Sequence, residues 1–136
     1  MSEPVLDTTA TADLLVGHSD LAGSISPNPE DSFPPVFATA RMVALMEIAS
    51  ARLLRPFLGA GELSVGVAMD IVHIAPTPLG ATVTATARYV GRENKLYIFE
   101  VVASDPGGEI GRGTHKRAIV STERLLAGAS RRHTAA

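Results

Sequence analysis

One long apolar helical run followed by four runs of period two leaves this chain few ways to fold. Pro34 and Pro35 lead into a segment in which Met42, Leu45, Met46, Ala49, Leu53 and Phe57 recur at helical spacing, while Arg41, Arg52 and Arg55 mark a narrow polar stripe. The spacing predicts a helix from Val36 or Phe37 to Leu58, closed by GAGE. Apolar residues cover more of its circumference than a surface helix needs, so two surfaces should pack on it. Beyond it, SVGVAMDIVHI, ATVTATARYV, KLYIFEVVAS and EIGRGTHKRAIVST read as four long strands separated by APTPLG, GREN and DPGG, the last two being hairpin signals. The expected architecture is α+β, a four-stranded antiparallel meander wrapped around one long helix.

At 136 residues the chain has room for one core, so a single domain over 1–136 is expected. A short strand is expected around Asp13 to Leu21. Four prolines then make 22–35 a lid-like loop, and about 1–12 and 124–136 are expected to be frayed. Hydrophobic residues make up 46% and charged residues 19%, the balance of a folded chain. With 12 basic against 14 acidic side chains, nothing attracts nucleic acid or an anionic membrane. Zero cysteines exclude disulfides, Cys-ligated metals and thiol nucleophiles, and fit a cytoplasmic location. No apolar stretch has signal-peptide or membrane-spanning length.

Glu47 is the only acid between Asp31 and Glu62, and it lies inside the apolar helical run. Its helical neighbours Val43, Ala44, Ser50 and Ala51 offer no ion pair, so the carboxylate is functional, exposed, or paired from elsewhere in the fold. His73 ends the first long strand, where a side chain can face a cleft, although a histidine there is equally compatible with a structural or exposed role. Asp70 is a poor partner for it, because an offset of three points the two side chains to opposite faces of a regular strand. His18, His115 and His133 are weaker candidates, and no pair has metal-ligand spacing, so no metal is expected.

Thr39 opens the helix eight residues before Glu47, about 12 Å away along the axis at 1.5 Å rise per residue. An imidazole between the two could bond a hydroxyl on one side and a carboxylate on the other, the logic of a hydroxyl, histidine and acid relay. Taken alone, Thr39 reads as a helix-start residue bonding to the backbone. Gly66 within a strand pattern marks a bulge or a place where a ligand approaches the backbone. Lys116 and Arg117 suit the phosphates of an extended ligand, yet paired basic residues on a strand more often face solvent. The glycines at 107, 108, 111 and 113 form no dinucleotide-binding pattern.

PPVFATARMVALMEIASARLLRPFL, GVAMDIVHIAPTPLGATVTATA and EIGRGTHKRAIV together resemble the bacterial fluoroacetyl-CoA thioesterase family of the hotdog-fold superfamily, over about Pro34 to Val120. The joint spacing of Thr39, Glu47 and His73 is far more specific than any one of them. The resemblance implies a hotdog fold, a homodimer with acyl-CoA sites at the subunit interface, and thioester hydrolysis without a cofactor. It assigns catalysis to Thr39, Glu47 and His73, with Glu47 attacking or activating water and His73 serving as base. It assigns substrate binding to Phe33, Phe37, Gly66 and Arg117. Phe33 matches one of two lid phenylalanines three apart, but the other position is Glu30, which weakens the expectation of fluoroacetyl selectivity. A short or modest-length acyl-CoA is the implied substrate. A noncatalytic acyl-CoA binding module and a hotdog hydratase or dehydratase are the alternatives.

Overall fold

The computed structural model describes residues 3–134; residues 1, 2, 135 and 136, part of the termini expected to fray, lie outside the described residues. The order of elements is β1 (Thr9–Leu15), α1 (Thr39–Leu54), β2 (Glu62–His73), β3 (Thr82–Glu93), β4 (Leu96–Asp105), β5 (Gly108–Ser121) and α2 (Thr122–Thr134). The five strands form one antiparallel sheet in the order β1-β3-β4-β5-β2, curled around α1 in the hotdog arrangement. This corrects the four-stranded meander in two respects, the first being that β1 adds a fifth strand beside β3. Only β3, β4 and β5 run as consecutive hairpins; β2 pairs with β5 and forms an edge, since the Pro76/Pro78 connection is no tight turn. The turns at Asn94 and at Gly107–Gly108 close the two hairpins, with Asn94 at φ 57° and Gly108 at φ 120°.

Met42, Leu45, Met46, Ala49 and Leu53 are buried on one face of α1, against Val83, Ala85, Ala87, Phe99 and Val101 of the sheet. Removal of each large apolar side chain from water contributes about 1.5–3 kcal/mol, and this holds the helix in the curl. Arg41, Arg52 and Arg55 are exposed, as the polar stripe predicts.

The helix is shorter than expected at both ends. Phe37 is bridged to Leu21 and its N–H donates to Thr77 O, so the chain is still extended before Ala38 caps the helix. At the other end Pro56 lacks the N–H that an α-helical turn requires, and Arg55–Phe57 tightens into a 3₁₀ turn.

The N-terminal strand lies earlier than the sequence suggests. Thr9–Leu15 pairs antiparallel with β3, from Thr9 opposite Arg88 to Leu15 opposite Thr82, and the Asp20 carboxylate then accepts from Gly17 N–H to hold a 3₁₀ turn at His18–Asp20. At the C-terminus, Thr122–Thr134 is helical where fraying was expected. Ser121 Oγ accepts from Arg124 N–H, Glu123 lies in the first turn and Arg131, Arg132 and His133 in the last, which suits the helix dipole. None of its residues is buried. No helix among the described residues is long and apolar enough to cross a membrane.

Candidate active site

The inner face of β5 is a stripe of Gly111, Gly113, His115 and Arg117, alternating with outward residues at period two. Opposite it on β2 lie His73, Ile71, Met69 and Gly66. Gly66 would be out of phase with His73 in a regular strand. A bulge between Gly66 and Ala68 absorbs one residue, so that Gly66 pairs with Arg117 and joins the inner face. The sequence reading of Gly66 as a bulge is thus seen directly.

Glu47 projects from α1 onto this stripe. A Cβ at residue 66 would stand 2.2 Å from Glu47 Oε1, a distance no side chain tolerates, so the carboxylate rests on backbone that only glycine leaves bare. Arg117 Nη1 donates to Glu47 Oε1 at 3.3 Å, and His115 Nε2 lies 4.0 Å from the same oxygen. The partner missing within the helix is therefore supplied by β5. Arg117 is only 6% exposed, against the expectation that the Lys116/Arg117 pair faces solvent; period two sends Lys116 outward to Glu93 and Arg117 inward. Burial lowers the pKa of Arg117, with the Glu47 carboxylate acting in the opposite sense.

Thr39 and His73 form a second cluster at the N-terminal end of α1, two turns before Glu47. Thr39 Oγ1 and His73 Nδ1 are 2.8 Å apart. His73 Nε2 is buried and has no hydrogen-bond partner among the described residues, which is unusual for a ring nitrogen out of water. Burial pushes the pKa of His73 below 6.5, so the ring is neutral at neutral pH. Both residues line a cavity of about 380 Å³, within the size range of small-molecule sites, together with Phe33, Phe37, Ile74 and Pro76. Phe37 is buried in its wall, whereas Phe33 is 51% exposed at its mouth. Glu30 is exposed and its backbone N–H is held by Asn28 Oδ1; it does not line the cavity.

Within one chain the relay is thus split. Thr39 and His73 meet, while Glu47 pairs with Arg117 and His115 and is not within ion-pair distance of His73. Asp70 is exposed on the face of β2 opposite to His73, as its parity requires. No group of three or more His, Cys, Asp or Glu side chains among the described residues is arranged to hold a metal ion.

The sequence reading placed His115 among the weaker candidates and did not consider Ser64, and the structure brings both to Arg117. His115 is 1% exposed and Ser64 bonds Arg117 Nε at 3.0 Å through its hydroxyl. The period of β5 carried the signal for His115, because it shares a face with Arg117.

Residues 16–123 match the family described as fluoroacetyl-CoA-specific thioesterase. A fluoroacetyl-CoA thioesterase of Streptantibioticus cattleyicolor is 46% identical over 95 residues, covering 70% of this chain and 68% of its own. A solved fluoroacetyl-CoA thioesterase structure, a mutant in complex with fluoroacetate, superposes with a TM-score of 0.89 at 37% identity, covering 95% of this chain and 98% of that one. Another mutant of the enzyme, in complex with fluoroacetate and CoA, gives a TM-score of 0.83 at 38% identity over 90% and 99% of the two chains. Agreement of sequence and fold over nearly the whole described length makes this chain a member of the fluoroacetyl-CoA-specific thioesterase family.

Proposed function

We propose that the chain is a thioesterase that hydrolyses short or modest-length acyl-CoA thioesters, with Glu47 as nucleophile, His73 as base and Thr39 as the group that orients it. One observation carries this reading. A half-buried imidazole, its pKa lowered by desolvation, is bonded to Thr39 through Nδ1, and its buried Nε2 has no hydrogen-bond partner among the described residues beside an apolar cavity. With Nδ1–H donating to Thr39 Oγ1, the Nε2 lone pair is free to take a proton from water. A histidine kept only for packing would have both nitrogens satisfied.

In the first step a Glu47 oxygen attacks the thioester carbonyl, the carbonyl electrons move onto oxygen, and their return breaks the carbon–sulfur bond. Coenzyme A leaves as a thiolate and the acyl group remains on Glu47 as an anhydride. In the second, His73 Nε2 removes a proton from water as the water adds to the anhydride; carboxylic acid departs, Glu47 is regenerated as carboxylate, and His73 releases its proton to solvent, where the coenzyme A thiolate is protonated. No cofactor enters the balance. Arg117 Nη1, donating to Glu47 Oε1, holds the carboxylate in place for attack.

The split between the two clusters is met by a dimer. β2 is an edge strand, and Val67, Val72 and Ile74 on or beside it are 54%, 54% and 61% exposed. Such an edge invites pairing. Antiparallel pairing of two β2 strands about a two-fold midway between Gly66 and His73 sets His73 of one copy across from Gly66 of the other. It thereby sets that imidazole beside the other copy's Glu47. We read the functional unit accordingly as a homodimer of one-domain subunits with two shared sites.

Glu30 in place of an aromatic lid residue leaves the mouth of the cavity open beside Phe33, which favours acyl groups larger than fluoroacetyl. The test is thiol release from acetyl-, fluoroacetyl-, medium-chain and arylacetyl-CoA by wild type and Glu47→Gln. A carboxylate that reacts makes the variant slower by about 10²-fold or more; equal turnover removes Glu47 from the mechanism. One turnover in isotopically labelled water, followed by mass spectrometry of the Glu47 peptide, separates the routes. Label in the Glu47 carboxylate accompanies anhydride hydrolysis with attack of water on Glu47's own carbonyl, and an acyl-Glu47 adduct trapped in His73→Ala marks direct attack; absence of both points to water activation instead.

A further inference from the structure

We infer that His115 is a positioning residue for the Glu47 carboxylate, acting through Arg117 as a fixed neutral hydrogen-bond acceptor; the inference rests on the thioesterase reading above. Its geometry determines its state. His115 Nδ1 lies 2.8 Å from Ala68 O, and a carbonyl can only accept, so Nδ1 carries the proton. His115 Nε2 lies 3.1 Å from Arg117 Nη1, and a guanidinium can only donate, so Nε2 is bare. Both nitrogens are thereby satisfied in one tautomer and in no other. The ring is 1% exposed and tilted on Phe99 at a centroid distance of 6.3 Å, which leaves it no freedom to turn.

Arg117 is then held from three sides. Its Nε donates to Ser64 Oγ at 3.0 Å, its Nη2 to Ser64 O at 2.9 Å, and its Nη1 is shared between His115 Nε2 and Glu47 Oε1. The sharing matters for chemistry. Nη1 stands 3.3 Å from Glu47 while its closer contact is to the imidazole, so the cation stabilises the carboxylate without engaging it in a short bidentate pair. A carboxylate clamped in such a pair is a poor nucleophile. The charged groups facing His115 are Glu47 from α1 and Arg117 from β5; Lys116 points to the opposite face.

Two measurements test this, and one needs no activity. The nitrogen spectrum of the His115 imidazole in the wild-type protein should report a protonated Nδ1 and an unprotonated, hydrogen-bonded Nε2, and Arg117→Ala should move the Nε2 resonance towards that of a free imidazole. A protonated Nε2, or an Nε2 signal indifferent to Arg117→Ala, overturns the assignment whether or not the chain hydrolyses acyl-CoA.

The second compares His115→Phe, which keeps the ring and loses the acceptor, with His115→Gln, whose amide oxygen can accept from Arg117. His115→Phe should lower kcat by about 10- to 100-fold with KM changed little, the scale of losing one charge-assisted hydrogen bond, and His115→Gln should regain most of it. Full kcat in His115→Phe overturns the inference. So do equal losses in both variants at equal melting temperature. Failure of wild type and Glu47→Gln to differ on the same substrates would instead count against the thioesterase reading itself.

Discussion

Glu47 rests on the bare Cα of Gly66: a Cβ there would come within 2.2 Å of Oε1 and 3.2 Å of the His115 ring. The atom in the way is the end of a flexible side chain, so the fold can yield by moving the carboxylate. Gly66→Ala should therefore displace Glu47 more than it unfolds the protein. Turnover should fall about 10-fold or more, as expected when a reacting group shifts by an ångström, while the melting temperature drops by only a few degrees. Retention of wild-type kcat would mean that the position of Glu47 is not critical.

The Thr39 hydroxyl lies 2.8 Å from His73 Nδ1. Thr39→Ser keeps that hydroxyl and should keep most of the activity. Thr39→Val removes it at constant volume and should lower kcat by about 10-fold or more through loss of ring orientation. Thr39 is exposed at the first turn of α1, so neither change should cost much stability. Equal activity of the two variants would leave Thr39 as a helix-start residue.

Period two made the four long strands legible, because each presents alternate residues to one core; the bounds of β2 to β5 fall within a few residues of the sequence reading. The spacing of Thr39, Glu47 and His73 led to the expectation of one site, but within a chain only Thr39 and His73 meet, and Glu47 pairs with Arg117. What local pattern could not carry was the pairing. The place of β2 beside β5 depends on contacts distant in the chain, and only that pairing brings Arg117 and His115 to Glu47. The dipeptide Lys116–Arg117 looked like a solvent-facing pair until the register assigned its members to opposite faces. α2 was missed for the opposite reason: it buries nothing, so no apolar stripe announced it, and its capping signals are weak in isolation.

Phe33 is 51% exposed at the mouth of the cavity that holds Thr39 and His73. Replacement by Ala removes little buried surface, so stability should stay within about 0.5 kcal/mol of wild type. The acyl preference should change, with larger acyl groups gaining on acetyl in relative kcat/KM by several-fold. Identical relative rates across an acyl series would show that the 22–35 segment does not gate the site.

His73 and His115 both have pKa values lowered by burial. For each, the native state binds fewer protons than the unfolded chain between the lowered pKa and the ordinary value of 6.5, so stability rises with pH across that window. Stability should accordingly be lost as the pH falls below about 6.5, in addition to any loss from carboxylates at lower pH. His115→Phe should flatten this loss in denaturant titrations across the window. In activity, the acidic limb governed by His73 should have its midpoint below 6.5, since the neutral base persists to lower pH than a free imidazole. A midpoint above 6.5 would contradict a His73 whose pKa is lowered by desolvation.

The strongest test of the shared site uses two inactive chains. If His73 of one copy works with Glu47 of the other, a mixed dimer of Glu47→Gln and His73→Ala contains one site with both residues intact and one site with neither. Mixing the two variants under exchange conditions should then restore turnover that each lacks alone. If Glu47 and His73 act within one chain, every site in the mixture is defective and nothing is regained. A Val67→Lys/Val72→Lys variant adds the control, because both side chains are 54% exposed in the single chain and lie on the β2 edge. Charges there should leave the subunit folded but hold the strands apart. Light scattering should report monomers, and mixing should no longer restore activity. Restoration that persists in monomers would exclude pairing through β2.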